Sequence, residues 1–445
     1  MGIRRAVSLV ALAMGFAVAC SLTTSLDGLT GGPDAPALDG GTDGAGPDGL
    51  TPADALPAEA AADAGDAAVS TVPVALAVSP SLFAAGSAQE THLHYAKSSA
   101  LWVLFYLDAD AAKLKTRVSS DFVTWTDDAS LTLPSPHPGD GRSFAVTYDD
   151  LAGRDVFHVS YAVKASPSDR RHHHARGVMT AGKMVFEPAV GLSRVTSNDN
   201  NLEPDGPAVL TVQGGTVVDM SGWLSPDGGT DRTGNVMAWL STDSELGGTW
   251  SPSFGGPIEV FVVPIICNAR ALVRIGAGAL AVWEGADAEP NPSGLTFARF
   301  NGTTWSSSST VDPTKATMDV NDWGLARLDD SHIHAVRFAG GLFRDRVYDG
   351  AGWTDGPTMP SATHLTGEGV VALADAGTLR VFMLDSTGAI LTTSLTAGAW
   401  SAWAPFVAAA SGRSGLSGYA GVGGAALVWV DKSKADATIA GVRVR

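Results

Sequence analysis

The chain has 445 residues, with 52 Gly, 24 Pro, 12 Trp and 2 Cys, and a formal net charge of −17 from 29 basic and 46 acidic side chains. The acidic balance excludes a nucleic-acid binder, whose footprint would be basic, and two cysteines exclude a disulfide scaffold, a zinc ribbon or an iron–sulfur centre. Length alone allows two to four domains of about 100–200 residues, or one large repeat array.

Residues 1–20 begin with a basic stretch (Arg4, Arg5) and continue as a 14-residue apolar run from Ala6 to Ala19. That run has signal-peptide length and is too short to span a bilayer. It ends in Ala17-Val18-Ala19-Cys20, which resembles the lipobox of bacterial lipoproteins, with Ala17 where Leu is usual. The resemblance implies cleavage before Cys20, lipidation of its thiol and attachment to a membrane through the lipid. Ser21 stands where inner-membrane lipoproteins carry Asp, so the resemblance implies the outer membrane or cell surface. Ordinary secretion after cleavage at the A-x-A sequence is the alternative. With Cys20 lipidated, Cys267 has no partner for an intramolecular disulfide. It sits in the apolar Val263-Pro-Ile-Ile-Cys267 and is expected to be a buried, inert thiol.

Residues 21–70 hold nine acids, no Lys or Arg and no aromatic residue. Such a stretch cannot bury enough apolar surface to offset its ordering entropy, and is expected to be a disordered, self-repelling tether. Its Asp-Gly pairs lack the spacing and the bidentate Glu of a calcium loop.

From residue 71 onward the pattern is short apolar, β-branched runs broken by Gly, Asp, Asn and Pro. Leu101-Trp-Val-Leu-Phe-Tyr-Leu107, Val156-Phe-His-Val-Ser-Tyr161 and Leu379-Arg-Val-Phe-Met-Leu384 are examples. The runs recur in units. First strands are expected near His92, Ser143, Pro207, Ala269, Trp323, Val370 and Leu416. Second strands are expected around Trp102, Phe157, Val217, Trp283, His334, Phe382 and Trp429, and closing aromatics at Trp125, Phe186, Trp250, Trp305, Trp353 and Trp400. Successive closing aromatics converge on the spacing of about 40–50 residues that marks propeller blades. The pattern predicts an all-β chain whose residues 71–445 form a seven-bladed β-propeller. The seventh unit ends at Arg445 one strand short, and Thr71-Val-Pro-Val-Ala-Leu-Ala-Val78 is the segment expected to supply that strand and close the ring. Six blades with a cap is the alternative.

Ser119-Ser-Asp-Phe-Val-Thr-Trp125 and Ser241-Thr-Asp-Ser-Glu-Leu-Gly-Gly-Thr-Trp250 resemble the Asp-box of sialidase-like propellers. The first lacks the motif's Gly and is one residue short; the second is two residues long. Asn301-Gly-Thr-Thr-Trp305, Gly350-Ala-Gly-Trp353 and Ala397-Gly-Ala-Trp400 keep only the Gly-x-Trp end. The motif implies a turn whose Asp accepts backbone N–H bonds and whose Trp packs between blades. It is structural rather than catalytic.

In propellers, ligands sit over the axis, against loops entering the innermost strands and loops joining second to third strands. Here those positions hold Glu90, His92, Asp140, Arg142, Glu203, Asp205, Asn268, Arg270, Asn321, Asp322, Glu368 and Arg413 at the entries, and Asp108, Asp169, Trp223, Glu284, Asp385 and Asp431 at the turns. The sialidase resemblance implies that Arg142, Arg270 and Arg413 would clamp a carboxylate. Asp140 or Asp205 would be the acid/base, and Tyr419 a nucleophile assisted by Glu284. The Arg-Ile-Pro signature of that family is absent. A plain glycosidase would need only two carboxylates, from Asp140, Asp205, Asp322, Glu368 and Glu284. The bland reading makes the three arginines ordinary polar strand entries.

Arg170-Arg-His-His-His-Ala-Arg176 is the one basic cluster. On a strand His172 and His174 would share a face, and two such histidines bind a metal only if a third ligand approaches; a long solvated turn is the expected reading. Ser197–Asp205 is a polar entry loop, read as funnel rim ahead of calcium site. No Gly-x-Ser-x-Gly, His-Glu-x-x-His or P-loop is present, so no metal and no cofactor are expected. The sequence as a whole is expected to encode a monomeric, envelope-anchored binding or scaffolding module with a glycan or protein ligand over the propeller axis, and no nucleic acid. A sialidase-like glycoside hydrolase is the alternative.

Overall fold

A computed structural model of the chain describes residues 72–79, 86–107, 113–132, 144–166, 169–196, 205–212, 216–224, 233–241, 258–264, 270–286, 292–314, 322–365, 367–432 and 437–444. The signal sequence with Cys20, the tether, Asp140, Arg142, residues 197–204, Trp250 and Cys267 lie outside them.

The apolar runs form strands, and consecutive strands pair antiparallel into seven sheets. Each sheet is a blade, with its first strand innermost. The innermost strands are Leu93–Ala96, Phe144–Leu151, Asp205–Thr211, Arg270–Ile275, Trp323–Asp329, Val370–Asp375 and Arg413–Gly421. They neighbour one another in cyclic order, with Arg413–Gly421 meeting Leu93–Ala96 again, so the sheets close a ring. The expected first strands begin within three residues of those observed. The chain is a seven-bladed β-propeller; the six-bladed alternative is set aside.

Blade packing explains the sequence pattern. A blade is covered on both faces by its neighbours, so its second strand reads as a continuous apolar run rather than an alternating one. Leu101–Leu107 and Gly424–Asp431 are buried along nearly their whole lengths. Each pair of neighbouring blades encloses its own core. Leu76, Leu93, Trp102, Leu104, Val428 and Ile439 fill the gap between blades 7 and 1. Phe105, Phe144, Phe157 and Val159 do so between blades 1 and 2. Glycine permits the closest approach: a Cβ on Gly324 in blade 5 would run into the carbonyl of Val370 in blade 6.

Blade 7 takes three strands from the C-terminus and its fourth, outermost strand from Val74–Val78, which pairs with Thr438–Val444. Arg117 of blade 1 donates to the carbonyl of Leu76, and Ser79 Oγ donates to Leu107 O at 2.8 Å. These bonds tie the closing strand to blade 1 as well as to blade 7.

The turns between third and fourth strands follow an Asx logic. Asp121 Oδ1 accepts Val123 N, Thr124 N and Ser119 Oγ at 2.8, 2.7 and 2.9 Å. These bonds hold its carboxyl at about 2, below the usual range. Asn301 and Asp349 each accept two backbone amides in the same way in blades 4 and 5. Trp125 packs against Phe122, Trp305 against Phe300, and Trp353 against Phe297 and Tyr348.

Candidate functional site

The innermost strands start on one face of the ring, here called the entry face. Second strands end there, and the connections between blades cross it. Most of the candidate residues stand on this face because of their positions along these strands.

Asp205 and Arg270 open the innermost strands of blades 3 and 4, opposite Gly222 and Trp283 respectively. Asp322, 5% exposed, precedes the innermost strand of blade 5. Its Oδ1 takes His364 Nε2 at 2.8 Å and the Gly367 amide at 2.9 Å, both from the connection into blade 6. Glu368, half-buried, accepts the Gly415 amide at 3.0 Å and so joins blade 6 to blade 7. Arg413 donates from Nη1 to Gly388 O at 2.8 Å and Ala408 O at 2.6 Å, and lies over the Trp429 ring at 5.4 Å. Burial lowers its pKa, against the pull of Asp431. Its described contacts fasten blades 6 and 7 together.

Glu284 lies two residues from the end of the second strand of blade 4, Gly278–Ala286. It is 3% exposed and accepts Arg337 Nη2 of blade 5 at 2.5 Å. Arg337 also reaches Thr314 O at 2.8 Å, with Asp312 Oδ2 at 4.0 Å. Burial pushes the Glu284 carboxyl up to about 7; Arg337 opposes this, and Asp322 adds to it. Burial thus favours the protonated form of Glu284 more than in a free glutamate, the direction a proton donor needs. Its Oε2 has no hydrogen-bond partner among the described residues.

Tyr419 stands apart from this group. It lies near the opposite end of the strand that Arg413 begins, two residues from the turn to Gly424. Its hydroxyl donates to Val422 O at 3.2 Å, and its ring meets Trp102 and His94 edge-on. Burial pushes the phenol up to about 12. The nucleophile position implied by the sialidase resemblance therefore falls on the face away from Glu284 and Arg413. With a bulge at Ser414–Ser417, Arg413 and Tyr419 stand opposite Asp431 and Ala426, about 17 Å apart along the strand. A residue's distance along its strand decides its face of the ring, and Tyr419 lies near the far end of Arg413–Gly421.

The histidine cluster is neither solvated nor a turn, which corrects the expected reading. Residues Asp169–Thr180 form the third strand of blade 2. His172 and His174 share a face, and both meet Asp219 of blade 3. His172 Nε2 lies 2.7 Å from Oδ1 and His174 Nδ1 lies 2.9 Å from Oδ2. Ser160 Oγ adds a third donor at 2.7 Å, and His158 Nδ1 lies 3.1 Å from His174 Nε2. His173 points the other way and stacks on Tyr161. Ser160 and Asp219 approach the same nitrogen of His172, which is not the nucleophile–base–orienter order of a catalytic triad. Asp219 and Ser160 have no exposure at all. The cluster is an interblade fastener. Its members are charged or polar residues inside apolar runs, such as Val217-Val-Asp219, and that is the signal by which sequence reading finds them.

Sequence reading also misses the hairpin Gly86–Thr91. Its strands, Gly86–Ser87 and Glu90–Thr91, pair with each other as a separate two-stranded sheet. Gln89 donates to the carbonyl of Trp323 in blade 5, and Ser417 of blade 7 donates to Glu90 O at 2.9 Å. Ala88 lies against Gly369 at the mouth of blade 6, and Glu90–Thr91 neighbours the innermost strand of blade 2. Six residues that touch the inner strands of blades 2, 5, 6 and 7 must lie across the axis.

No known protein family and no curated protein matches the chain in sequence. Solved structures match it in shape. The polysaccharide lyase Uly1 does so with 10% identity over 78% of this chain and 88% of its own, at a TM-score of 0.45. The Penicillium chrysogenum α-L-arabinanase does so with 13% identity over 64% and 85%, at 0.43. The six-bladed Aleuria aurantia lectin does so with 12% identity over 70% and 93%, at 0.39.

Proposed function

We propose that the protein is an envelope-anchored binding or scaffolding module for a glycan or a protein partner, monomeric, held by lipid on Cys20 and an acidic tether to the outer membrane or cell surface. The observation that supports this is how the entry-face side chains are used. Asp322, Glu368 and Arg413 are engaged with neighbouring blades, Tyr419 lies on the other face, and the chain's own hairpin crosses the axis. Side chains engaged in this way make a rigid rim suited to recognition.

Glu284 favours a second reading, a glycoside hydrolase, because its carboxyl stands near 7 in a buried setting. One experiment separates the two. The purified full-length lipoprotein in detergent is applied to a glycan array and, in parallel, to a panel of fluorogenic glycosides. Saturable binding without turnover supports the binding module. Turnover that Glu284→Gln reduces by about 10²-fold or more supports the hydrolase. Neither binding nor turnover, with a pull-down partner absent as well, sinks both.

A further inference from the structure

The hairpin across the axis is built differently from the ring around it. It has two residues per strand, and it forms its own sheet instead of extending any blade. A two-stranded hairpin is marginal in water even at full length, so this one depends on its contacts with the wall. The ring is closed independently, by Val74–Val78 on Thr438–Val444. The wall is shaped to receive the hairpin. Gly369 has φ 97°, and a Cβ there would stand 3.3 Å from Ala88 Cβ and 3.0 Å from Leu416 O. Gly86 has φ 95°, and a Cβ there would strike Glu90 O and crowd Ser417 Oγ at 3.1 Å. A larger residue at Gly369, on the wall, would push the hairpin off its seat, and one at Gly86 would break the hairpin's own pairing with Glu90. Its tip, Ala88 and Gln89, is half-buried where a turn of this kind is ordinarily exposed.

We propose that Gly86–Thr91 is a reversible plug of the axial entrance, opening as a unit while the seven-bladed ring stays closed. In the closed state it occupies the Trp323 carbonyl and the Ser417 hydroxyl. Opening frees an acceptor and a hydroxyl on the axial wall for an outside ligand. This goes beyond the proposed binding role and does not depend on it, since the plug is read from its own motion.

The test uses thiol labelling of the full chain with Cys20 and Cys267 replaced by serine. Ser417→Cys, fully buried beneath the hairpin, reports opening; Val422→Cys, 57% exposed, is the reference. The plug predicts that Ser417→Cys reacts with a maleimide at least about 100-fold more slowly than the reference. Adding Gln89→Ala, which removes the bond to Trp323, is expected to speed that reaction about fivefold with the urea midpoint unchanged. Equal reactivity at the two sites would overturn the proposal, and so would labelling that follows global unfolding. If Ser417→Cys does not fold, hydrogen exchange on the unsubstituted chain decides instead. Amides 86–91 exchanging faster than those of Gly424–Asp431 support the plug, and exchange at the global rate overturns it.

Discussion

Asp219 has no contact with water, yet it carries a charge the fold can tolerate. Burial pushes its carboxyl up, but His172 and His174, by charge and hydrogen bonding, hold it below the usual range. Among the described residues, Ala145, Val209 and Val217 form an apolar cluster at the interface it serves, beside these polar bonds. Removing the acceptor strands its donors in the interior. Asp219→Ala is expected to cost about 3–5 kcal/mol, read as a lower urea midpoint. A loss below about 1 kcal/mol would show that the cluster contributes little. Two buried histidines, His94 in blade 1 and His158 in blade 2, contribute to the acid behaviour. Burial, with His92 nearby, pushes His94 down to about 3. Burial, His174 and Arg176 hold His158 well below its ordinary value. Between about pH 6.5 and the lower folded values, the unfolded chain takes up protons that the native chain refuses. These two groups therefore lower stability as pH drops, by about 1.4 kcal/mol per unit each, while Glu284, raised to about 7, works the other way over the same range and offsets about one of them. Asp219 adds to the loss below about pH 4, as pH falls through its lowered value. Urea midpoints should fall steadily from about pH 7 to about pH 4.5, and less steeply in His94→Gln. A flat profile would contradict the buried neutral histidines.

At the scale of elements, the strand Val74–Val78 does most to define the ring. Leu76 is fully buried against blades 7 and 1, while Val78 in the same strand is 57% exposed. Leu76→Asp places a carboxylate in that core and is expected to cost more than about 3 kcal/mol. It also bares the edge of Thr438–Val444, and an unpaired edge invites association. Size-exclusion chromatography with light scattering should show oligomers for Leu76→Asp, while Val78→Asp stays within about 0.5 kcal/mol of the parent. Equal effects at the two positions would mean that the strand does not close the ring. Much of this element was legible beforehand. A seventh unit one strand short and an orphan apolar run near the N-terminus imply each other. The hairpin Gly86–Thr91 was not legible, because Gly-Ser-Ala-Gln-Glu-Thr has no apolar alternation to announce a strand. Its shape comes from the wall it rests on.

For the whole molecule, the closing strand sets the direction in which the chain arrives. Val74 lies opposite Gly441, and Val78 opposite Thr438, which itself pairs with Asp431 beside the entry face. The closing strand thus runs toward the entry face and reaches it at Val78. With the proposed lipid on Cys20, Cys20→Ala is expected to move the protein from the membrane pellet to the soluble fraction, with its thermal midpoint unchanged. Retention in the pellet would sink the anchor. The −17 charge bears little on the ligand under this reading, since nine of the acids lie within residues 21–70.

By itself the sequence determined the all-β class, the number of units, the strand starts to within a few residues and the turn chemistry at Asp121. All of these follow from local periodicity and from side chains acting on their own backbone. That Asn301 and Asp349 cap their turns in the same way came from the structure. Only the tertiary structure decided which face each candidate occupies and what each one meets. Arg413 reaches carbonyls of Gly388 and Ala408, Glu284 finds Arg337 of the next blade, and Tyr419 stands at the opposite end of its strand. Asp219 gathers donors from residues more than forty positions away. Local pattern fixes the blade, but the partner across a blade interface is brought there by ring closure. In that dry interface, pairing and charge depend on the neighbour rather than on the residue alone.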